Sequence, residues 1–118
     1  MRIFYVEDMV SWRDRVVETY LAGHHVVVAG SVAEARERYR PNEFDAVLLD
    51  FELPDGTGAD VARFIRSAGD GVPIIANSSS GGRNQFLLSL GANYAVSKSS
   101  DTQLEGVLLE IELGRRRG

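Results

Sequence analysis

Hydrophobic and polar positions along this chain follow two rhythms that alternate from end to end. Ile3-Phe4-Tyr5-Val6 is a short run rich in strand formers. After it, Val10, Val17 and Leu21, with Val16 and Tyr20 beside them, recur at the spacing of one helix face. Val26-Val27-Val28 predicts a second strand. Ser31-Val32-Ala33-Glu34 has capping-box spacing and opens a second helix, which Pro41 and Asn42 close. Ala46 to Leu49 is a third strand, apolar throughout, as a parallel strand covered on both faces should be. Pro54-Asp55-Gly56 is a turn, and Val61, Phe64, Ile65 and Ala68 then mark a third helix ended by Gly69-Asp70-Gly71. Val72 to Ala76 is the fourth strand, and Ser78 to Gly82 reads as a small, polar, mobile loop. Phe86, Leu87 and Leu90 imply a short helix with Gly91 suited to its C-terminal cap. Tyr94 to Val96 is the fifth strand. Ser100 and Gln103 repeat the capping-box spacing before a last helical stripe of Leu104, Val107, Leu108 and Ile111.

Five strand–helix units with no linker, repeat or low-complexity tract predict one domain over residues 1–118. The fold class is α/β, a doubly wound five-stranded parallel sheet with helices on both faces. Composition adds bounds. At 118 residues, 44% hydrophobic and 25% charged, the chain has the make-up of a soluble domain with one core. A net charge of −4 argues against direct nucleic-acid binding. The terminal triplet Arg115-Arg116-Arg117 reads as a solvated helix end whose cations suit the helix dipole. The absence of cysteine excludes disulfides, thiolate catalysis and cysteine–metal sites, and fits a cytoplasmic protein. The apolar run after Met1-Arg2 is too short for a signal peptide, and no run approaches the ~20 apolar residues of a membrane span.

In a doubly wound sheet, ligands sit at the carboxyl ends of the strands, beside the point where strand order reverses. The residues that follow the predicted strands are therefore informative. Glu7 and Asp8 follow the first, Asp50 the third, Ser78 and Ser79 the fourth, and Lys98 the fifth. Lys98 is the single lysine among 13 basic residues; the rest are arginine. A compact ammonium on a flexible stem does work that a broad guanidinium fork does not. Three clustered carboxylates repel one another unless a cation joins them, and Mg²⁺ is the natural partner for such oxygen ligands. A carboxylate beside Mg²⁺ can attack a phosphoryl group and become an acyl phosphate. Mg²⁺, Lys98 and a serine hydroxyl then suffice to neutralise the three outer phosphoryl oxygens. Asp50, central and followed by a Pro-Asp-Gly turn, is the expected acceptor, with Glu7 and Asp8 as metal holders.

These residues, in this order, resemble the receiver domain of two-component response regulators. The match consists of Glu7-Asp8, Asp50 with Leu53-Pro54-Asp55-Gly56 and Gly58, Ser78-Ser79, and Gly91-Ala92 leading to Lys98, and it extends from Met1 to about Leu113. The resemblance implies a flavodoxin-like (βα)5 fold with strand order 2-1-3-4-5. It implies that Asp50 accepts phosphate from a sensor histidine kinase or phosphotransfer protein. Glu7, Asp8 and Asp50 would bind Mg²⁺, with the backbone carbonyl of Glu52 as a further ligand, while Ser78 and Lys98 bind phosphoryl oxygens. A downstream protein would dock on the face of helix four, strand five and helix five. The domain would be a signalling protein, not classed as an enzyme, and a homodimer is compatible with it.

Two positions, Ala95 and Ser99, depart from the family pattern. An aromatic residue common three places before the lysine is replaced by Ala95, with Tyr94 one place earlier on the opposite strand face. Ser99 stands where proline usually follows through a cis bond; a cis bond to a non-proline costs ~3–4 kcal/mol, so a trans Lys98–Ser99 peptide is expected. Glu52 and Ser80 stand two places after Asp50 and Ser78, positions that in the family flank the path of attacking water, and by that resemblance Glu52 could orient the water or repel it. The departures motivate an alternative, a pseudo-receiver that binds partners without taking phosphate. A metal-dependent phosphohydrolase, suggested by Asp50-Phe51-Glu52 with Glu52 as general acid, is disfavoured because 118 residues leave no cap domain or substrate pocket.

Overall fold

Five apolar runs lie side by side in one parallel sheet. They are β1 (Arg2–Val6), β2 (His25–Ala29), β3 (Ala46–Leu49), β6 (Ile74–Ala76) and β7 (Tyr94–Ala95). Two further two-residue strands, β4 (Glu52–Leu53) and β5 (Gly56–Thr57), form a separate antiparallel hairpin around the Pro54-Asp55 turn. In this computed structural model, residues 1–117 are described; Gly118, the last residue of the expected domain, and the Arg117 side chain, the third of the basic triplet, lie outside the described residues.

The main sheet runs β2-β1-β3-β6-β7, which is the expected order 2-1-3-4-5 once the hairpin strands are counted. Val6 pairs in register with Ala29 on one side and Leu49 on the other, so β1 and β3 meet where the strand order reverses. Alternate strand residues face opposite sides, which divides the core in two. Phe4, Val6, Val47, Leu49 and Ile74 pack with the helices α2 (Val32–Arg38), α3 (Gly58–Ser67) and α4 (Gly81–Ser89). Ile3, Tyr5, Leu48 and Ile75 pack under α1 (Val10–Tyr20) and α5 (Gln103–Arg117). Burial on both faces explains why these strands are apolar runs and not alternating patterns.

Several boundaries differ from expectation for local reasons. Strand β6 starts at Ile74, not Val72, because Pro73 has no N–H for the ladder; its carbonyl accepts from Val47 instead. The fifth strand stops at Ala95, one residue early. Ser31 caps α2 by accepting from Glu34 N–H, but the Glu34 carboxylate reaches Gly30 N–H at 2.7 Å, one residue short of a full capping box. The complete box belongs to Thr57 and Asp60 at α3, which was not anticipated. Ser100 does not open the last helix. It ends a 3₁₀ turn, Lys98–Ser100, capped by Ser97, and α5 begins at Gln103. The expected loop Ser78–Gly82 is shorter, because Gly81 and Gly82 already belong to α4. Gly91 has φ 107° just beyond α4, the left-handed cap its position suggested.

Candidate functional site

The carboxyl ends of β1, β3, β6 and β7 bring the predicted residues to one cavity of about 450 Å³, whose lining includes Asp8, Asp50, Glu52, Ser78, Arg83 and Lys98. Glu7 does not line the cavity; it is fully buried beside it, paired with Lys98. Glu7, Asp8 and Asp50 each offer a carboxylate oxygen, and these atoms lie within 4.8 Å of one another. Glu7 and Asp50 are buried and Asp8 is exposed. The N-cap position of α1 falls on Met9, whose side chain cannot cap, so neither acid is absorbed into an ordinary helix cap.

Lys98 stands among these acids. Its Nζ is 2.8 Å from Glu7 Oε2 and 3.2 Å from Asp50 Oδ2. Its Nζ lies over the ring of Trp12 from α1, 5.5 Å from the centroid. Burial alone would push the Lys98 ammonium down; the Glu7 hydrogen bond and the two carboxylate charges outweigh it and hold its pKa above the ordinary lysine value. Burial pushes the Glu7 carboxyl up, and the neighbouring Asp50 adds to this, while Lys98 opposes. The Lys98–Ser99 peptide is trans, as expected without proline. A 3₁₀ turn occupies this stretch, in which Ser97 Oγ accepts from Ser99 N–H at 3.3 Å.

Ser78 is held by a residue the sequence did not single out. Its N–H donates to Asn84 Oδ1 at 2.9 Å, and Asn84 Nδ2 donates back to the Ser78 carbonyl at 3.1 Å. Asn84 is buried in α4, where an amide is costly unless both its ends are paired. A polar residue at a core-facing helical position was the available signal. Asn77, also missed, donates to the Val96 carbonyl at 2.7 Å and ties the ends of β6 and β7 together. Ser78 Oγ accepts from Ser80 N–H at 3.1 Å, which leaves the hydroxyl proton free to donate into the cavity.

Glu52 is placed differently from the three clustered acids. Its side chain is 69% exposed and pairs with Arg83 of α4. Gly58 explains how Asp50 is fixed: its N–H donates to the Phe51 carbonyl at 2.7 Å, and a Cβ there would lie 2.2 Å from the Asp50 carbonyl oxygen. Tyr94 packs toward the α1–α5 side, while Ala95 faces outward and is exposed. The regular register Ile75–Tyr94 and Ala76–Ala95 leaves no bulge that would turn Tyr94 to the other face.

An acidic cluster with two buried members and one exposed one, one lysine and a free hydroxyl suits an oxygen-ligated divalent cation and an anionic group beside Asp50. Comparison with known proteins points the same way. The family model described as response regulator receiver domain matches residues 3–108. The swarming motility regulation protein RssB of Serratia marcescens is 32% identical over 99 residues, covering 74% of this chain and 45% of RssB. The non-phosphorylated HemR receiver domain of Leptospira biflexa is 30% identical with a TM-score of 0.78, covering 92% of this chain and 90% of that one. The response regulator TrrA of Thermotoga maritima, in complex with Mg²⁺ and BeF, is 27% identical with a TM-score of 0.82, covering 93% of this chain and 97% of that one. The chain spans less than half the length of the curated relatives it matches. Among the described residues, no helix is long and apolar enough to cross a membrane.

Proposed function

The chain belongs to the response regulator receiver domain family of two-component systems, and we propose that it accepts a phosphoryl group on Asp50 and changes its protein contacts in response. The observation that carries this reading is Lys98 within ion-pair distance of both Glu7 and Asp50, at the switch point of the sheet. The donor would be a sensor histidine kinase or a phosphotransfer protein. An Asp50 oxygen attacks the phosphorus of a phosphohistidine, and the O–P bond forms as the P–N bond breaks. The electron pair stays on the imidazole nitrogen, which takes a proton from solvent. A carboxylate nucleophile has no proton to lose, so no separate base is required.

Catalysis then rests on positioning and charge. Lys98, already beside Asp50, would pair with one phosphoryl oxygen, and the Ser78 hydroxyl would donate to another. The mutual approach of the Glu7, Asp8 and Asp50 oxygens fits Mg²⁺. Those three would hold the ion, with the Glu52 backbone carbonyl as a further ligand, and it would supply charge neutralisation at the acceptor. Residues 1–118 would act as a single cytoplasmic receiver. Its downstream protein, or a second copy, would dock on the face of α4, β7 and α5. The cycle of uptake and loss of phosphate serves signalling, so the domain is not classed as an enzyme.

The pseudo-receiver reading rests on one observation: exposed Ala95 has no aromatic ring to swing inward when Ser78 engages phosphate. Uptake of phosphate from acetyl phosphate with Mg²⁺ separates the two, and inert wild-type protein would favour the pseudo-receiver.

A further inference from the structure

Arg83 and Glu52 face each other across the mouth of the Asp50 cavity, and both line it. They come from different elements, the hairpin strand β4 and the first turn of α4, 31 residues apart. Arg83 is the third residue of α4; the Ser80 side chain, at the N-cap, accepts from its N–H at 3.3 Å. A cation at this end of a helix meets the positive pole of the dipole, and no acidic residue shares the turn. The guanidinium therefore depends on an anion from elsewhere. It also lies over the ring of Phe51, 5.2 Å from the centroid, the residue between Asp50 and Glu52 in the chain. Phe51 is in turn set edge-on against Phe86 of α4, with centroids 6.2 Å apart. Arg83 is thus held at the lining of the cavity that Asp50 shares by an aromatic seat as well as by Glu52.

We propose, building on the reading of Asp50 as phosphoacceptor, that Arg83 is a phosphoryl-binding residue kept in reserve by Glu52. When Asp50 carries a phosphoryl group, the guanidinium exchanges the Glu52 carboxylate for phosphoryl oxygens. Three charge effects drive the exchange. The Glu52 pair is solvent-exposed, which makes it weak. A phosphoryl group carries more charge than a carboxylate and accepts the guanidinium fork through two parallel hydrogen bonds. The phosphoryl group also repels Glu52, whose exposed side chain is free to turn to solvent. Arg83 over the acyl phosphate then obstructs attacking water, and its movement carries the state of Asp50 to the start of α4.

The test is a double-mutant cycle of the whole chain: wild type, Arg83→Gln, Glu52→Gln and the pair. Each is phosphorylated with acetyl phosphate and Mg²⁺, the donor is removed, and first-order loss of acyl phosphate is followed. Thermal midpoints confirm folding, which these exposed side chains should leave intact. Arg83→Gln is expected to hasten loss roughly five- to tenfold, the loss of a charge-assisted contact. Glu52→Gln is expected to slow loss about threefold with Arg83 present and to have no effect once Arg83 is Gln. An unchanged lifetime in Arg83→Gln, or an equal effect of Glu52→Gln in both backgrounds, overturns the exchange while leaving Asp50 as acceptor. Wild-type protein that takes no phosphate removes the Asp50 reading, and the exchange falls with it.

Discussion

The ammonium of Lys98 sits 2.8 Å from Oε2 of Glu7, a carboxylate with no solvent exposure. It is closer to this buried acid than to Asp50, at 3.2 Å. Lys98 thus has two tasks. It neutralises the buried Glu7, and it stands within reach of the group that Asp50 would carry.

Lys98→Arg tests whether charge alone serves. The planar fork is too broad for a position flanked by two carboxylates and the Trp12 ring. The fold should survive with a near-normal thermal midpoint, while phosphate uptake from acetyl phosphate should fall about tenfold or more. Full uptake in this variant would mean that any cation suffices.

Asp8 is the exposed member of three carboxylates within 4.8 Å. Asp8→Asn removes part of their repulsion and should stabilise the metal-free protein by on the order of 1 kcal/mol. It should also abolish the rise in thermal midpoint expected for the wild type with Mg²⁺, since only the folded state gathers the ligands. Differential scanning calorimetry with and without MgCl₂ checks both.

Gly58→Ala places a Cβ 2.2 Å from the Asp50 carbonyl oxygen and 3.2 Å from the Phe51 Cα, both in the backbone. Neither can rotate aside. A loss of about 1–3 kcal/mol in urea unfolding is expected, with lower phosphate uptake because Asp50 itself must shift.

Asp70 gives the fold a definable acid limit. Burial alone would push its carboxyl up. Hydrogen bonds from Asn42 N–H, the Tyr39 hydroxyl and Val72 N–H, with the Arg66 charge, outweigh it and hold the pKa below the ordinary aspartate value. A depressed pKa stabilises the fold above the unfolded value near 3.8, and the gain is lost as pH falls through the lower folded value. Asp70→Asn should therefore destabilise at neutral pH by about 1–3 kcal/mol. The difference from wild type should shrink below pH ~4. A difference independent of pH would show that packing, not charge, is what Asp70 contributes.

The sheet was legible because its strands are apolar on both faces and its site residues lie within three residues of the strand ends, so Glu7, Asp8, Asp50, Ser78 and Lys98 could be placed by counting from those ends. The hairpin β4–β5 was not, since two-residue strands carry no period. Asn84 was overlooked because its partner, the Ser78 backbone, meets it only once α4 folds back over β6. The Arg83–Glu52 pair joins residues too far apart in the chain for local pattern to connect them. Ser100 shows the limit of spacing alone: Ser97 captured the chain first, through the Ser99 N–H, and moved the start of α5.

The most direct test of the central claim is incubation with acetyl phosphate and Mg²⁺, followed by mass mapping of the modified residue. One phosphoryl group on Asp50 in the wild type, absent from Asp50→Ala and reduced in Lys98→Arg, is the expected result. No label on the wild type, or equal labelling of Asp50→Ala, would contradict it.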